Sequence, residues 1–243
     1  MNVTRSWKKL FAVGCSHGGL IDPVARKAVL TAKERWKPHK TIHLGDFVDT
    51  AAFRAGAKGT SDESEPVSPD FEAGLLFLKD LGANLIFNGN HEIRLWRLAN
   101  HHNAIISELS KNLVERIETR AKLNKAEFVA DWGMRSWRKL GNYSFGHGYI
   151  FSENACRDHA ESHGNVVHAH THRAGMAKGR RDDNPSGYCV GTLMDINSAD
   201  YAQSKRSTLA WTQGFVWGEY CDSQAVIWLH EQPYGSKEWV FPF

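Results

Sequence analysis

Five places in this chain set side chains capable of holding metal ions at the end of a short apolar run. Leu10–Val13 runs into Gly14-Cys15-Ser16-His17, and Thr41–Leu44 runs into Gly45-Asp46. Leu85–Phe87 leads to Asn88-Gly89-Asn90-His91, and Tyr143–Phe145 leads to Gly146-His147. Val166-Val167 ends at His168-Ala169-His170-Thr171-His172. Carboxylate, amide oxygen and imidazole suit Mn, Fe, Zn or Ni. An aspartate with two oxygens can bridge two ions about 3.5–4 Å apart, the spacing of two-metal hydrolytic sites. A neutral asparagine ligand leaves such a site positive enough to attract an anion. A lone Gly-Asp or a lone histidine is more often structural, so the signal is the recurrence of the pattern.

The elements that position these residues follow from the same runs. Short apolar stretches that stop at polar residues read as buried strands. Helices fill the gaps between the first three. Asp22-Pro23 is a helix start, cap followed by proline, with Val24, Ala25, Ala28, Val29 and Ala32 at helical spacing behind it. Asp70 is read as the cap of a second helix carrying Phe71, Leu75, Leu78 and Leu81. A third helical region after Asn90 has a stripe of Ile105, Ile106, Leu109, Leu113, Val114 and Ile117, read as core. Strands alternating with helices give a βαβ beginning, and in such sheets the strand ends converge on one edge, where ligands bind. Beyond residue 127 the texture becomes strand-rich, with Trp137–Leu140, Gly187–Gly191, Gly214–Tyr220 and Ala225–His230 as further strands. Residues 54–69 form a polar, breaker-rich loop, either a flap beside the site or an inert insertion. No repeat and no boundary divides the chain, so one domain over 1–243 is expected.

The ordered set Cys15-x-His17, Gly45-Asp46-x-x-Asp49, Gly89-Asn90-His91-Glu92, Gly146-His147 and Ala169-His170-Thr171-His172 resembles the calcineurin-like metallophosphoesterase superfamily. The resemblance implies an α/β fold, a four-layer α/β/β/α sandwich with two mixed β-sheets. It implies a binuclear metal-dependent phosphoesterase, in which a metal-bridging water attacks phosphorus in line. Carried over residue by residue, His17, Asp46 and His172 hold the first metal, with Cys15 in place of the family's usual aspartate. Asn90, His147 and His170 hold the second, with Asp46 bridging. His91 protonates the leaving oxygen and Asp49 orients it. Two positions depart from the family pattern, Cys15 for Asp and Ala169 for Gly. A thiolate keeps the negative charge and biases the first site toward Zn or Fe, leaving Mn for the second. The alternative for Cys15 is a buried thiol that only packs.

The remaining signals bear on substrate. The family's protein Ser/Thr phosphatases carry an arginine right after the Asp49 position; Thr50-Ala51 stand here, which argues against that activity. Arg94 and Arg97 either meet an anionic substrate or lie on a solvated helix face. Lys178-Gly179-Arg180-Arg181 follows the last motif and, read as a basic loop leaving the site, favours a nucleic acid or nucleotide. Among nine tryptophans, base stacking would need one or two; Trp132, Trp137, Trp211 and Trp217 fall in the strand-rich half and suit sheets. Phosphodiester, nuclease-like substrates are therefore expected first, with a phosphomonoesterase as alternative and an inactive binding scaffold as the non-enzyme alternative. His43 is read as packing in its strand, His168 as structural, and His101 and His102 as surface residues on the third helix. The i,i+4 pair His159 and His163 lacks a further ligand nearby.

Bulk composition is permissive. A net charge of +3 neither demands nor opposes an anionic partner. Four cysteines without a CxxC pair point to a reducing, cytoplasmic setting rather than a disulfide scaffold. Lys8-Lys9 before Leu10–Cys15 loosely resembles a lipoprotein signal. Its apolar core is too short against the ~7–15 residues expected, so it is read as a strand. No apolar run approaches the ~18 residues of a membrane span, and no feature calls for an obligate protein partner.

Overall fold

The computed structural model describes residues 6–197, 210–233, 236 and 238–243. The first strand, β1 (Lys8–Val13), alternates its side chains between two cores. Phe11 and Val13 face a layer of helices, while Leu10 and Ala12 face a second sheet. That alternation is the period-2 consequence of a strand buried on both faces.

β1 is joined by β2 (Lys40–His43), β3 (Leu85–Phe87) and β4 (Glu127–Val129) in parallel, in spatial order β1-β2-β3-β4. β10 (Gly214–Tyr220) lies antiparallel on the other side of β1, followed by β11 (Ala225–Glu231). The second sheet has the order β5 (Arg138–Leu140), β6 (Tyr143–Phe145), β7 (Val166–His168), β9 (Ser186–Cys189), β8 (Gly175–Lys178). β6, β7 and β9 are parallel; β5 and β8 are antiparallel edges. Ile42, Leu44, Phe87, Phe145, Val167 and Val216 fill the space between the sheets. Helices α1 (Pro23–Trp36), α2 (Val67–Leu81) and α4 (Ala104–Leu123) cover the first sheet, and α5 (Ala155–His163) covers the second. The layers are thus α/β/β/α with two mixed sheets, as the resemblance implied. Gly187 lets α5 approach: a Cβ there would lie 1.9 Å from the Cys156 carbonyl oxygen.

Several local readings need correction. α1 begins as expected, with the Asp22 carboxylate accepting from the Val24 and Ala25 N–H groups, but Val24 faces solvent. α2 starts at Val67, so Asp70 is in its first turn and caps nothing. Its carboxylate instead accepts from the backbone N–H groups of Gly19, Asp49 and Thr50. The third helical region is two helices, α3 (Ile93–Leu98) and α4, and His101 and His102 lie in the connection between them. Leu113 and Ile117 are core, but Ile105 is 80% exposed and Leu109 45%. The inward positions there are Ser107 and Ser110, and Ser107 Oγ donates to the Ala99 carbonyl. Small residues fit that end because α4 meets α3 there rather than the sheet. Of the four tryptophans assigned to sheets, only Trp217 is in a strand. Among the described residues no helix is long and apolar enough to cross a membrane.

Candidate metal centre

The carboxyl ends of β1, β2 and β3 in one sheet face those of β6 and β7 in the other, and the five motifs leave from these ends. The loops are laced together by backbone bonds. The N–H groups of Cys15 and His17 donate to the carbonyls of Gly45 and Asp46, at 2.9 and 3.0 Å. On the other sheet, Ala169 N–H donates to the His147 carbonyl at 3.0 Å. Cys15, His17, Asp46, Thr50, His170 and His172 all take left-handed backbone conformations, with φ between 49° and 70°. They are six of the nine described non-glycine residues that do so. Each such residue costs roughly 1–3 kcal/mol, and such strain gathers at functional sites.

A second set of residues maintains that backbone. The buried Glu92 carboxylate accepts from the N–H groups of Asp46, Gly89 and Val48 at 2.9, 2.7 and 3.0 Å. His43 accepts from Gly45 N–H through Nδ1 and bonds Ser16 Oγ through Nε2. Gly89 admits the carboxylate of Asp46: a Cβ there would lie 2.1 Å from Oδ1. Glu92 and Asp70 hold the backbone of the candidate site, a part that the sequence reading did not assign to them. Glu92 stood inside the quoted Gly-Asn-His-Glu motif, which was its signal; Asp70 gave a competing helix-cap signal.

The side chains form three overlapping groups. The ligating atoms of Cys15, His17, Asp46 and His172 lie within 4.8 Å of one another, as do those of Asp46, His147 and His170. Asn90 Oδ1 joins the second group, 3.1 Å from His147 Nε2 and 2.8 Å from His170 Nδ1. His17, Asp49 and His91 make the third. Two tautomers are fixed by what the rings donate to. His147 Nδ1–H donates to the Leu44 carbonyl at 2.8 Å, leaving Nε2 free to face Asp46 Oδ2 at 3.2 Å. His17 Nδ1–H donates to Asp49 Oδ1 at 2.9 Å, leaving its Nε2 facing His172 Nε2 at 3.0 Å. This is the pattern of metal-binding histidines oriented by an outer carbonyl or carboxylate.

The donors fit a metal. Two imidazole nitrogens converge beside a carboxylate and a thiol, and His172 Nδ1, although buried, has no hydrogen-bond partner among the described residues. Burial, then the neighbouring His17, hold the His172 pKa well below the usual histidine range, and burial with His147 lowers that of His170 to about 3. Both rings are thus neutral, the form that binds cations. Burial opposes ionisation of Asp46, but His147 and His91 outweigh it and keep the carboxylate charged. Burial and then Asp46 push the Cys15 thiol well up, so a thiolate there needs a cation to balance it. Cys15 Sγ also accepts from His170 N–H at 3.2 Å, a second role beyond packing. If Cys15 holds a metal as a thiolate, Cys15→Asp is expected to shift the metal preference of the centre from softer Zn or Fe toward Mn, read by elemental analysis of protein loaded from a mixed-metal medium.

The other predicted residues separate into those that reach the centre and those that do not. His91 and Asp49 reach it. His91 Nδ1–H donates to the Asp49 carbonyl, and its Nε2 is 4.0 Å from Asp46 Oδ2. Burial works against the charged ring, yet Asp46 and the Asp49 hydrogen bond hold its pKa up at about 9. Arg94 lies at the edge, its Nη1 donating to the Asp49 carbonyl at 3.2 Å. Arg180 and Arg181 do not reach it. They follow β8, which runs away from the His172 end of the sheet, and its four residues carry the chain about 10 Å off. There Arg180 pairs with Glu161 at 2.9 Å and Arg181 with Asp183 at 3.0 Å, so both arginines have acidic partners. The segment 54–69 lies beside the centre: with Asp49 and Thr50 it lines a cavity of about 430 Å³, and Arg54 pairs with Asp62 in that lining.

His159 and His163 engage separate groups of the protein. His159 Nε2 accepts from the N–H groups of Tyr149 and Ile150 at 3.1 and 3.2 Å, which needs a neutral ring. His163 bonds the Tyr149 hydroxyl, and His168 packs on His159 with centroids 4.4 Å apart. Burial lowers the His159 pKa to about 4. Below pH ~6.5 the unfolded ring takes up a proton that the folded ring refuses until about 4. The contribution of this ring should therefore be full above neutrality and be lost as pH drops through that window, with His43, lowered to about 3 by burial, acting in the same direction, while His91, raised to about 9, acts oppositely and loses its contribution as pH rises from ~6.5 to about 9. Urea midpoints measured between pH 7.5 and 4.5 check the sign.

No protein-family model matches this chain, and no curated protein matches it. Among solved structures, an archaeal phosphodiesterase is similar over 91% of this chain and 99% of its own length, with 13% identity and a TM-score of 0.41. A phosphoesterase from E. coli is similar over 86% of this chain and 91% of its own, with 14% identity and a TM-score of 0.40. At this distance neither likeness transfers an activity.

Proposed function

We propose that this chain is a metal-dependent phosphoesterase of the calcineurin-like kind, working as one domain with its centre between the two sheets. The observation that carries the reading is Asp46, whose carboxylate is shared by two separate groups of candidate ligands. Cys15, His17, Asp46 and His172 would hold one divalent ion, with Zn or Fe favoured by the thiolate. Asp46, Asn90, His147 and His170 would hold the other, with Mn favoured by the oxygen donors. Two such ions supply a water nucleophile at neutral pH and offset the charge of the phosphoryl oxygens.

The chain's own residues do the rest. Asp49 receives the Nδ1–H of His17 on its carboxylate and that of His91 on its carbonyl, fixing both rings. His91, protonated at neutral pH, keeps its Nε2–H toward Asp46 and can give that proton to the leaving oxygen. Arg94, at the edge, supplies a positive charge for the ester. Because Arg180 and Arg181 are paired away from the site, the basic loop gives no support for nucleic acid. Small phosphodiesters become the first substrates to test, with monoesters as the alternative.

The purified protein should carry tightly held transition metal and hydrolyse bis-p-nitrophenyl phosphate with added Mn. Metal-free protein without turnover would leave only the scaffold reading. A panel of monoester, diester, single-stranded and duplex DNA then separates the substrate classes, and activity on the monoester alone would reject the diester preference. His91→Asn should lower turnover by at least about 10²-fold, the usual worth of a general acid, while elemental analysis shows metal content unchanged. Loss of metal instead would reassign His91 to metal holding.

A further inference from the structure

The centre has a floor and a mouth. Cys15, His17, Asp46, His147 and His172 are fully buried, whereas Asn90, His91 and His170 are partly exposed and mark the opening. Two aromatic side chains stand beside His170 at that opening. The Trp132 ring centroid is 6.1 Å from that of His170, and the Phe151 centroid is 6.5 Å from it. Phe151 is 82% exposed.

A single exposed phenylalanine needs no explanation in general. This one is presented by a loop that is fastened on both sides of it. Gly148 carbonyl accepts from Trp132 Nε1–H at 2.8 Å, which also locks the Trp132 ring. The N–H groups of Tyr149 and Ile150 donate to His159 Nε2, and the Ser152 carbonyl accepts from Arg173 Nη2 at 2.6 Å. The backbone therefore has little freedom to fold Phe151 inward, and its ring is held in water next to a charged site. An aromatic surface kept exposed at the mouth of an anion-binding centre suits a ligand with a phosphate at one end and a flat apolar ring at the other.

We propose that Trp132 and Phe151 form a stacking subsite beside His170, so that the ester taken by this centre carries a planar aromatic group of the nucleobase type. The proposal rests on the phosphoesterase reading for the phosphate end and adds the other end. Trp211, by contrast, packs on Met194 and over His172, at a centroid distance of 4.3 Å, and belongs to the wall.

The test compares two probes that differ only by a base, a purine nucleoside 5′-monophosphate and ribose 5-phosphate, binding to Mn-loaded full-length protein by calorimetry. The nucleotide should bind at least about tenfold more tightly, within the range for one stacked base. Phe151→Ala and, separately, Trp132→Leu should remove most of that difference and leave ribose 5-phosphate affinity within about twofold. Equal affinities in the wild type, or variants that weaken both probes alike, overturn the proposal. Should Trp132→Leu fail to fold, Phe151→Ala alone decides, since that side chain is mostly in solvent. Failure of the phosphoesterase reading shows differently, as absence of bis-p-nitrophenyl phosphate hydrolysis, while the base preference in binding stands or falls by itself.

Discussion

Asp46→Asn is expected to lower phosphoester hydrolysis by at least about 10²-fold and to reduce the metal content at both positions, not one. The reason is that Asp46 belongs to both four-atom donor sets and sits fully buried among His17, His91 and His147. Removing one partner from a buried ionic arrangement costs about 3–5 kcal/mol, and tenfold in rate corresponds to about 1.4 kcal/mol. An asparagine keeps the shape and one oxygen, so the His91 N–H that donates to Asp46 Oδ1 can stay paired. Fold is thus preserved and the loss reports charge. Elemental analysis with circular dichroism checks it. Normal metal content with lost turnover, or loss of a single ion, would show that the carboxylate does not bridge.

The second large effect falls on a residue that touches no substrate. Glu92→Ala should destabilise the protein by roughly 3 kcal/mol or more, because three buried backbone donors lose their acceptor at once, at about 1–3 kcal/mol each. Those donors belong to Asp46, Val48 and Gly89, so the loops carrying Asp46 and Asn90 loosen with them. Burial raises the Glu92 pKa, which makes Glu92→Gln the informative partner: it has the shape and one acceptor and should recover part of the loss. Urea denaturation of the three proteins measures this. Equal stability of the alanine variant would mean that water satisfies the orphaned N–H groups.

Much of the centre was legible before the fold because its residues sit where strand periodicity stops. The ends at Val13, His43, Phe87, Phe145 and His168 each announce a motif, and parallel pairing brings them to a common edge. What failed did so for want of long-range information. Asp70 offers the same local signal whether it caps a helix or holds the Asp49 loop, and only the packing of α2 against Gly19 decides. The Ile105 and Leu109 stripe has helical spacing, yet α3 occupies the place the sheet would have had. Arg180 and Arg181 are near His172 in sequence, but the strand between them carries the charge away to acidic partners. Proximity along the chain is a poor guide once a strand intervenes.

β1 lies between β2 and β10, so this early strand is completed by one that begins only at Gly214. Until that segment arrives, one edge of Lys8–Val13 carries unpaired N–H and C=O groups of the kind that invites wrong partners. The Cys15 loop waits as well, because its carbonyl receives bonds from Thr192 and Leu193. Contacts of such long sequence separation form slowly. If the centre takes metal as proposed, its capture would then be a closing event in the assembly of this chain rather than its seed, since chains ending short of Tyr220 would present the candidate ligands without the frame that spaces them.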